Sequence, residues 1–104
     1  MKNKLMPIFT QKVCDFWGIT EKEFFSNPKD RKLSTARQMV WALSKFRNIS
    51  GLEVTKFMNN KGGVYSYSIT DSTVAKGVHA VHIKMEKDSD LRAIFNKLKD
   101  ESIF

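Results

Sequence analysis

Cysteine is nearly absent from this chain. Cys14 stands alone, so no disulfide can close within the sequence, and a reducing, cytoplasmic setting is the expectation. Long apolar runs are missing too. The stretch after Lys2 and Lys4 is broken by Pro7 and gives way to Thr10, Gln11 and Lys12, too short for a signal core or a membrane span. No low-complexity segment and no internal repeat is present. Acidic residues are scarce through the middle, where only Asp30, Glu53 and Asp71 occur between Lys29 and Lys84. A nuclease needs clustered carboxylates or a histidine constellation, and three scattered acids supply neither. No catalytic residue and no cofactor is therefore expected. No G-x-x-x-x-G-K-[ST] motif occurs, and Lys61-Gly62-Gly63 is not a fragment of one, which excludes a self-sufficient ATP-driven machine.

What the chain does contain is a core and a basic centre. Its 104 residues are 41% hydrophobic and 12% aromatic, enough to fold as a single domain over residues 1–104 and to exclude disorder as the overall state. The formal net charge is +7. From Lys29 to Lys84 ten basic residues face three acidic ones, so that stretch holds the whole surplus while both ends are close to balanced. A polyanionic partner explains the asymmetry; excess lysine for solubility alone is the plainer alternative.

Apolar periodicity predicts an all-α fold. Ile8, Val13, Phe16 and Trp17 mark a first helix over about 8–17, stopped at Gly18. Thr20 and Glu23 form a capping-box pattern that opens a short second helix carrying Phe24 and Phe25, ended by Asn27-Pro28. After a basic loop, Ser34 or Thr35 can cap a third helix to about Arg47, with Met39, Val40, Leu43 and Phe46 at helical steps and Ala36 and Ala42 permitting close packing. Ser50-Gly51 starts a fourth helix bearing Leu52, Val54 or Thr55, Phe57 and Met58. Asn59 to Gly63 reads as a dense turn, and Val64 to Ile69 alternates as a short strand or an extended loop would, making an exposed excursion or hairpin. Thr70 or Asp71 caps a fifth helix with Val74, Val78 and Val81 on one face. Asp88-Ser89-Asp90 caps a last helix holding Leu91, Ile94, Phe95 and Leu98, with Lys97 and Lys99 where the dipole favours cations.

A short helix, a connection and a second helix rich in small hydroxyls over 51–85 is the order of a helix-turn-helix. Asp71, Ser72 and Thr73 then lie in the first turn of the inserted helix, where short side chains reach base edges or phosphates. Plain capping explains the same residues without a ligand.

The segments Val13-Cys14-Asp15-Phe16-Trp17-Gly18-Ile19, Phe24-Phe25-Ser26, Lys29-Asp30-Arg31 and Ala36-Arg37-Gln38-Met39-Val40-Trp41-Ala42-Leu43-Ser44-Lys45, followed by Asp71-Ser72-Thr73-Val74, together resemble the C-terminal DNA-binding domain of the bacterial replication initiator DnaA. The likeness resumes in the Asp90, Ile94 and Leu98 pattern and covers almost the entire chain. It implies a Trp-repressor-like helix-turn-helix that binds duplex DNA, with a role in replication initiation or its regulation. On that likeness Lys29 and Arg31 belong to a basic loop reaching the minor groove. Arg37, Gln38 and Lys45 fall at backbone-contacting positions, Thr73 at a phosphate-contacting hydroxyl and Ser72 at a base-contacting one. With Thr70, Asp71 and Lys76 they complete the candidate interface.

The sequence also departs from that family. Ile69 stands at its Arg position, Thr70 at its Asp and Asp71 at its His, which removes the two side chains that read its best-known site. About seven additional residues precede the reading helix. The likeness therefore does not carry initiator-box specificity with it, and the 62–69 excursion is the candidate for retuning what is read.

The remaining chemistry-bearing residues read as structural. His79 and His82 are three apart but have no further ligand at metal spacing, and no metal site is expected. Cys14 reads as a small buried hydrophobe, and Trp17 and Trp41 as core. Tyr65 and Tyr67 can stack on a base or pack the loop down, with packing favoured. The expected partners are double-stranded DNA and, as an alternative role, a replication or transcription protein engaged by the helical scaffold.

Overall fold

A computed structural model describes residues 5–26, 30–62 and 67–101, and these form six helices and no strand. α1 (Leu5–Trp17) ends at Gly18, whose φ of +65° is the left-handed conformation in which a helix closes most cheaply on glycine. The next helix, α2 (Glu21–Phe24), opens on the complete capping box: Thr20 Oγ1 accepts from Glu23 N at 3.1 Å and Glu23 Oε1 accepts from Thr20 N at 2.9 Å. Its purpose is to bury Phe24 and the following Phe25, both fully enclosed. Asn27-Pro28, expected to end it, lie outside the described residues.

The third helix begins four to five residues earlier than expected. α3 (Arg31–Phe46) is capped by Asp30, whose carboxylate accepts from Lys32 N at 2.7 Å and Leu33 N at 3.2 Å, so neither Ser34 nor Thr35 is the cap. An aspartate two residues before a helical lysine satisfies two orphan amides, and this wins over the hydroxyls downstream. Arg31 and Lys32 are in consequence helical, not loop. Asn48 takes φ 62° just beyond the helix, a conformation asparagine tolerates.

α4 (Gly51–Gly62) starts where Ser50 Oγ accepts from Glu53 N, and it continues through Asn59, Asn60 and Lys61. The expected turn there is wrong because tertiary contacts hold the last turn. Asn59 Nδ2 donates to Ile69 O at 3.0 Å, and its Oδ1 accepts from Ile69 N at 2.7 Å. This two-bond bracket ties the end of α4 to the residues before α5 (Asp71–Lys87). Residues 67–70 are irregular, so that part of the expected strand does not form; the rest lies outside the described residues. Tyr67 is buried, not part of an exposed excursion. Asp88 Oδ1 then accepts from Asp90 N and Leu91 N to open α6 (Ser89–Glu101).

α3 is the central helix, and every other helix packs against it. That position explains why Met39 to Ser44 are all buried in succession, a pattern no one-sided amphipathic helix shows. Phe46, expected in the core, is 50% exposed and lies under Lys99 Nζ at 4.9 Å from its ring centre. Leu52 is exposed as well. Enclosing Phe9, Phe24, Phe25, Met39 and Leu43 stabilises the fold by about 2 kcal/mol apiece.

The tightest joint lies between α3 and α5. Gly77 sits so close to Trp41 that a Cβ there would meet the indole Cε3 and Cζ3 atoms at 2.4 Å. Together with Lys84 Nζ, which donates to Gln38 Oε1 at 3.1 Å and Thr35 Oγ1 at 3.3 Å, this sets α5 antiparallel to α3.

Candidate nucleic-acid interface

The start of α5 is open to solvent. Thr70, Asp71, Ser72 and Thr73 are all exposed, while Val74 begins the buried face. Thr70 is the cap: its Oγ1 accepts from Thr73 N at 3.4 Å and lies 3.1 Å from Thr73 Oγ1 and 3.4 Å from Ser72 Oγ. Capping therefore occupies the Thr70 hydroxyl, as the ligand-free explanation requires. Asp71 follows in the first helical turn, where the dipole favours its charge.

Beside this turn runs a groove of about 360 Å³ between α3 and α5, whose walls include Arg37, Gln38 and Trp41 on one side and Thr73, Lys76 and Gly77 on the other. Four residues singled out in the sequence thus meet in one concavity. Lys76 is exposed there. Gln38 is half-buried and held in place, its Nε2 donating to Ser34 Oγ at 3.3 Å while its Oε1 accepts from Lys84.

Arg37 has a different task from the one its position suggested. It is only 8% exposed. Its Nε donates to Phe24 O at 2.8 Å, its Nη2 donates to Ser26 O at 2.6 Å, and its guanidinium carbon lies 5.0 Å from the ring centre of Tyr67. Burial lowers its pKa from the ordinary arginine value, offset by Tyr67 and Asp30, and burial raises that of Tyr67. These contacts make Arg37 a staple joining α3, the end of α2 and the segment before α5. The central helix thus turns inward the side chain that the likeness places at a backbone-contacting position, and its main partners are Phe24 O and Ser26 O.

The other expected residues are dispersed around the groove. Lys45 is exposed on α3 one turn beyond Trp41 and does not line the concavity. Arg31, the first residue of α3, lines a second groove with Lys32, Lys84 and Lys87 near the opposite end of α5. Lys29 lies outside the described residues, as does Tyr65. Sequence reasoning left out of the site Lys84, whose ammonium fixes Gln38, and Asn59, whose bracket positions the start of α5. Spacing carries no signal for either, since both act across long sequence separations.

Cys14 is buried, and desolvation together with the nearby Asp15, Glu21 and Glu23 charges pushes its thiol up to about 11, so it remains protonated at neutral pH. Among the described residues no group of three or more His, Cys, Asp or Glu is placed to hold a metal ion, and no helix is long and apolar enough to cross a membrane. No protein-family model, curated protein or solved structure matches this chain.

Proposed function

We propose that this chain binds duplex DNA by a helix-turn-helix made of α4 and α5, in the initiation of replication or its regulation, as the likeness to the DnaA C-terminal domain implies. The first turn of α5 enters the major groove, and the part of the α3–α5 seam beside that turn, lined by Gln38, Thr73 and Lys76, lies along the sugar–phosphate backbone. The single observation that supports this most is the solvent-open Thr70–Thr73 turn set beside a groove bearing Lys76, on the face where α3 also presents Gln38. Helix amides, hydroxyls and lysine grip phosphates, while short side chains at the tip approach bases. Asp71 contributes an acceptor suited to a cytosine amino group. The connection between the two helices, residues 63–70, is longer than the three or four residues of the simplest helix-turn-helix. The Asn59–Ile69 bracket offsets that length by fixing its far end.

Selection of bound duplexes from a random pool at two salt concentrations tests the proposal. A protein neutralising some four to six phosphates gives a log–log salt slope of roughly −3.5 to −5.5. Lys76→Glu should weaken binding to all sequences, whereas Asp71→Ala or Ser72→Ala should alter the preferred sequence and leave the slope unchanged. Deleting residues 63–66 should shift the preference if that segment retunes reading. A flat salt slope with no enriched sequence rejects DNA binding and favours a protein-interaction role for the scaffold.

A further inference from the structure

A second concavity lies away from the reading turn. It is a groove of about 920 Å³ between the start of α3, the end of α5 and the start of α6, within the size range of ligand-binding clefts. It lies near the C-terminal end of α5, about 20 Å along the helix from Thr73. Trp17, Leu91 and Ile94 supply apolar lining, and Trp17 and Ile94 remain half-buried with surface still to cover. Arg31, Lys32 and Lys87 stand exposed around them and form no ion pair among the described residues. Lys84 adds a fourth cation but is anchored to Thr35 and Gln38. Of the two acids present, Asp88 already serves as the cap of α6 through Asp90 N and Leu91 N, and Asp90 is exposed at that end.

We infer that this groove docks an acidic, amphipathic segment of a partner protein, its bulky apolar side chains resting on Trp17, Leu91 and Ile94 and its carboxylates facing Arg31, Lys32 and Lys87. An aromatic and aliphatic centre ringed by charge is the anatomy of a protein–protein contact, with buried anchors supplying affinity and the rim supplying orientation. Duplex DNA satisfies only half of it. A phosphate backbone neutralises the cations but brings no apolar side chain to cover Trp17 and Ile94. The inference stands apart from the DNA reading, which uses the other end of α5.

The test titrates a fluorescein-labelled helical peptide of about a dozen residues, carrying Phe and two Leu on one face and Asp and Glu elsewhere, into the whole protein. Saturable binding with a Kd below about 100 µM is expected, and amide shifts should centre on 31–35 and 84–94. Lys32→Glu with Lys87→Glu should weaken binding at least tenfold, and Ile94→Ala about threefold, with unchanged helical circular dichroism showing that the fold persists. A control peptide with the same charges and serine at the apolar positions should bind at least tenfold more weakly. Equal binding of the control, shifts centred on α4 or on the first turn of α5, or indifference to the double charge reversal would each overturn the inference. Because Lys76→Glu alters duplex binding at the other site, failure of the peptide leaves the DNA result legible on its own.

Discussion

Replacing Arg37 by alanine should unfold the domain more readily, and should leave the duplex binding proposed above unweakened. The side chain makes two charge-assisted hydrogen bonds to main-chain carbonyls, Phe24 O at 2.8 Å and Ser26 O at 2.6 Å, and stacks over Tyr67. A hydrogen bond to a charged donor contributes about 1.5–3 kcal/mol, and a carbonyl left buried without a partner costs its desolvation. Only the Phe24 bond is fully buried, whereas water can reach Ser26 once the guanidinium is gone, so the second bond counts for less. The cation–π contact adds about 0.5–1 kcal/mol. The sum is about 3–5 kcal/mol, a large fraction of the roughly 5–15 kcal/mol available to a chain of this size. At about 4 °C per kcal/mol the midpoint of thermal unfolding should fall by roughly 12–20 °C. Arg37→Lys should recover less than half of the loss, because an ammonium cannot span both carbonyls from one fork. Thermal melts followed by circular dichroism, beside duplex titrations at a temperature where both variants are folded, decide the matter. An unchanged melting temperature with uniformly weakened DNA binding would refute the staple and restore Arg37 to the backbone-contacting role the sequence suggested.

Three further outcomes follow from the same geometry. Gly77→Ala gains about 1 kcal/mol of helix propensity but places a methyl 2.4 Å from the Trp41 ring, so a net loss of about 1–3 kcal/mol and a changed tryptophan emission are expected; a stabilised variant with native emission would show that the joint is looser than described. Asn59→Ala removes both bonds to Ile69 and should cost about 1–3 kcal/mol, with faster hydrogen exchange at the Ile69 amide as the local readout and unaltered exchange as the contrary result. The Glu23 carboxyl titrates below its ordinary 4.5, first because Thr20 N donates to it and then because the Thr20 hydroxyl does. A depressed folded-state value means the capping box stabilises above the unfolded value and loses that contribution as pH falls through the folded one. The stability difference between the parent and Glu23→Ala should therefore be full at neutral pH and shrink below about pH 4.5, and a difference independent of pH would argue against the box.

Local signals carried much of the helical order. Thr20 with Glu23 and Asp88 before Leu91 satisfy backbone groups within three residues, and Gly18 closes α1 in the left-handed conformation, so spacing alone reveals them. The start of α3 is set by Asp30 and not by the expected Ser34 or Thr35, since all three residue types are competent caps and only the folded backbone selects one. The end of α4 was illegible for a stronger reason. Asn59, Asn60 and Gly62 have weak helix preference, and the bracket that holds them involves Ile69, ten residues away.

The amino-acid sequence by itself determined an all-helical domain, the succession of its elements and a surplus of positive charge in its middle, because periodicity, capping and charge are properties of neighbouring residues. Only the tertiary structure decided which cations face water. Making α3 the helix that all others surround turned Arg37 inward onto Phe24, Ser26 and Tyr67, left Lys76 exposed in the groove beside Thr73, and put Arg31 and Lys32 with Lys87 around a separate cleft. Those assignments depend on packing across tens of residues, where an arginine's destination is set by the carbonyls that the fold happens to bring within its reach.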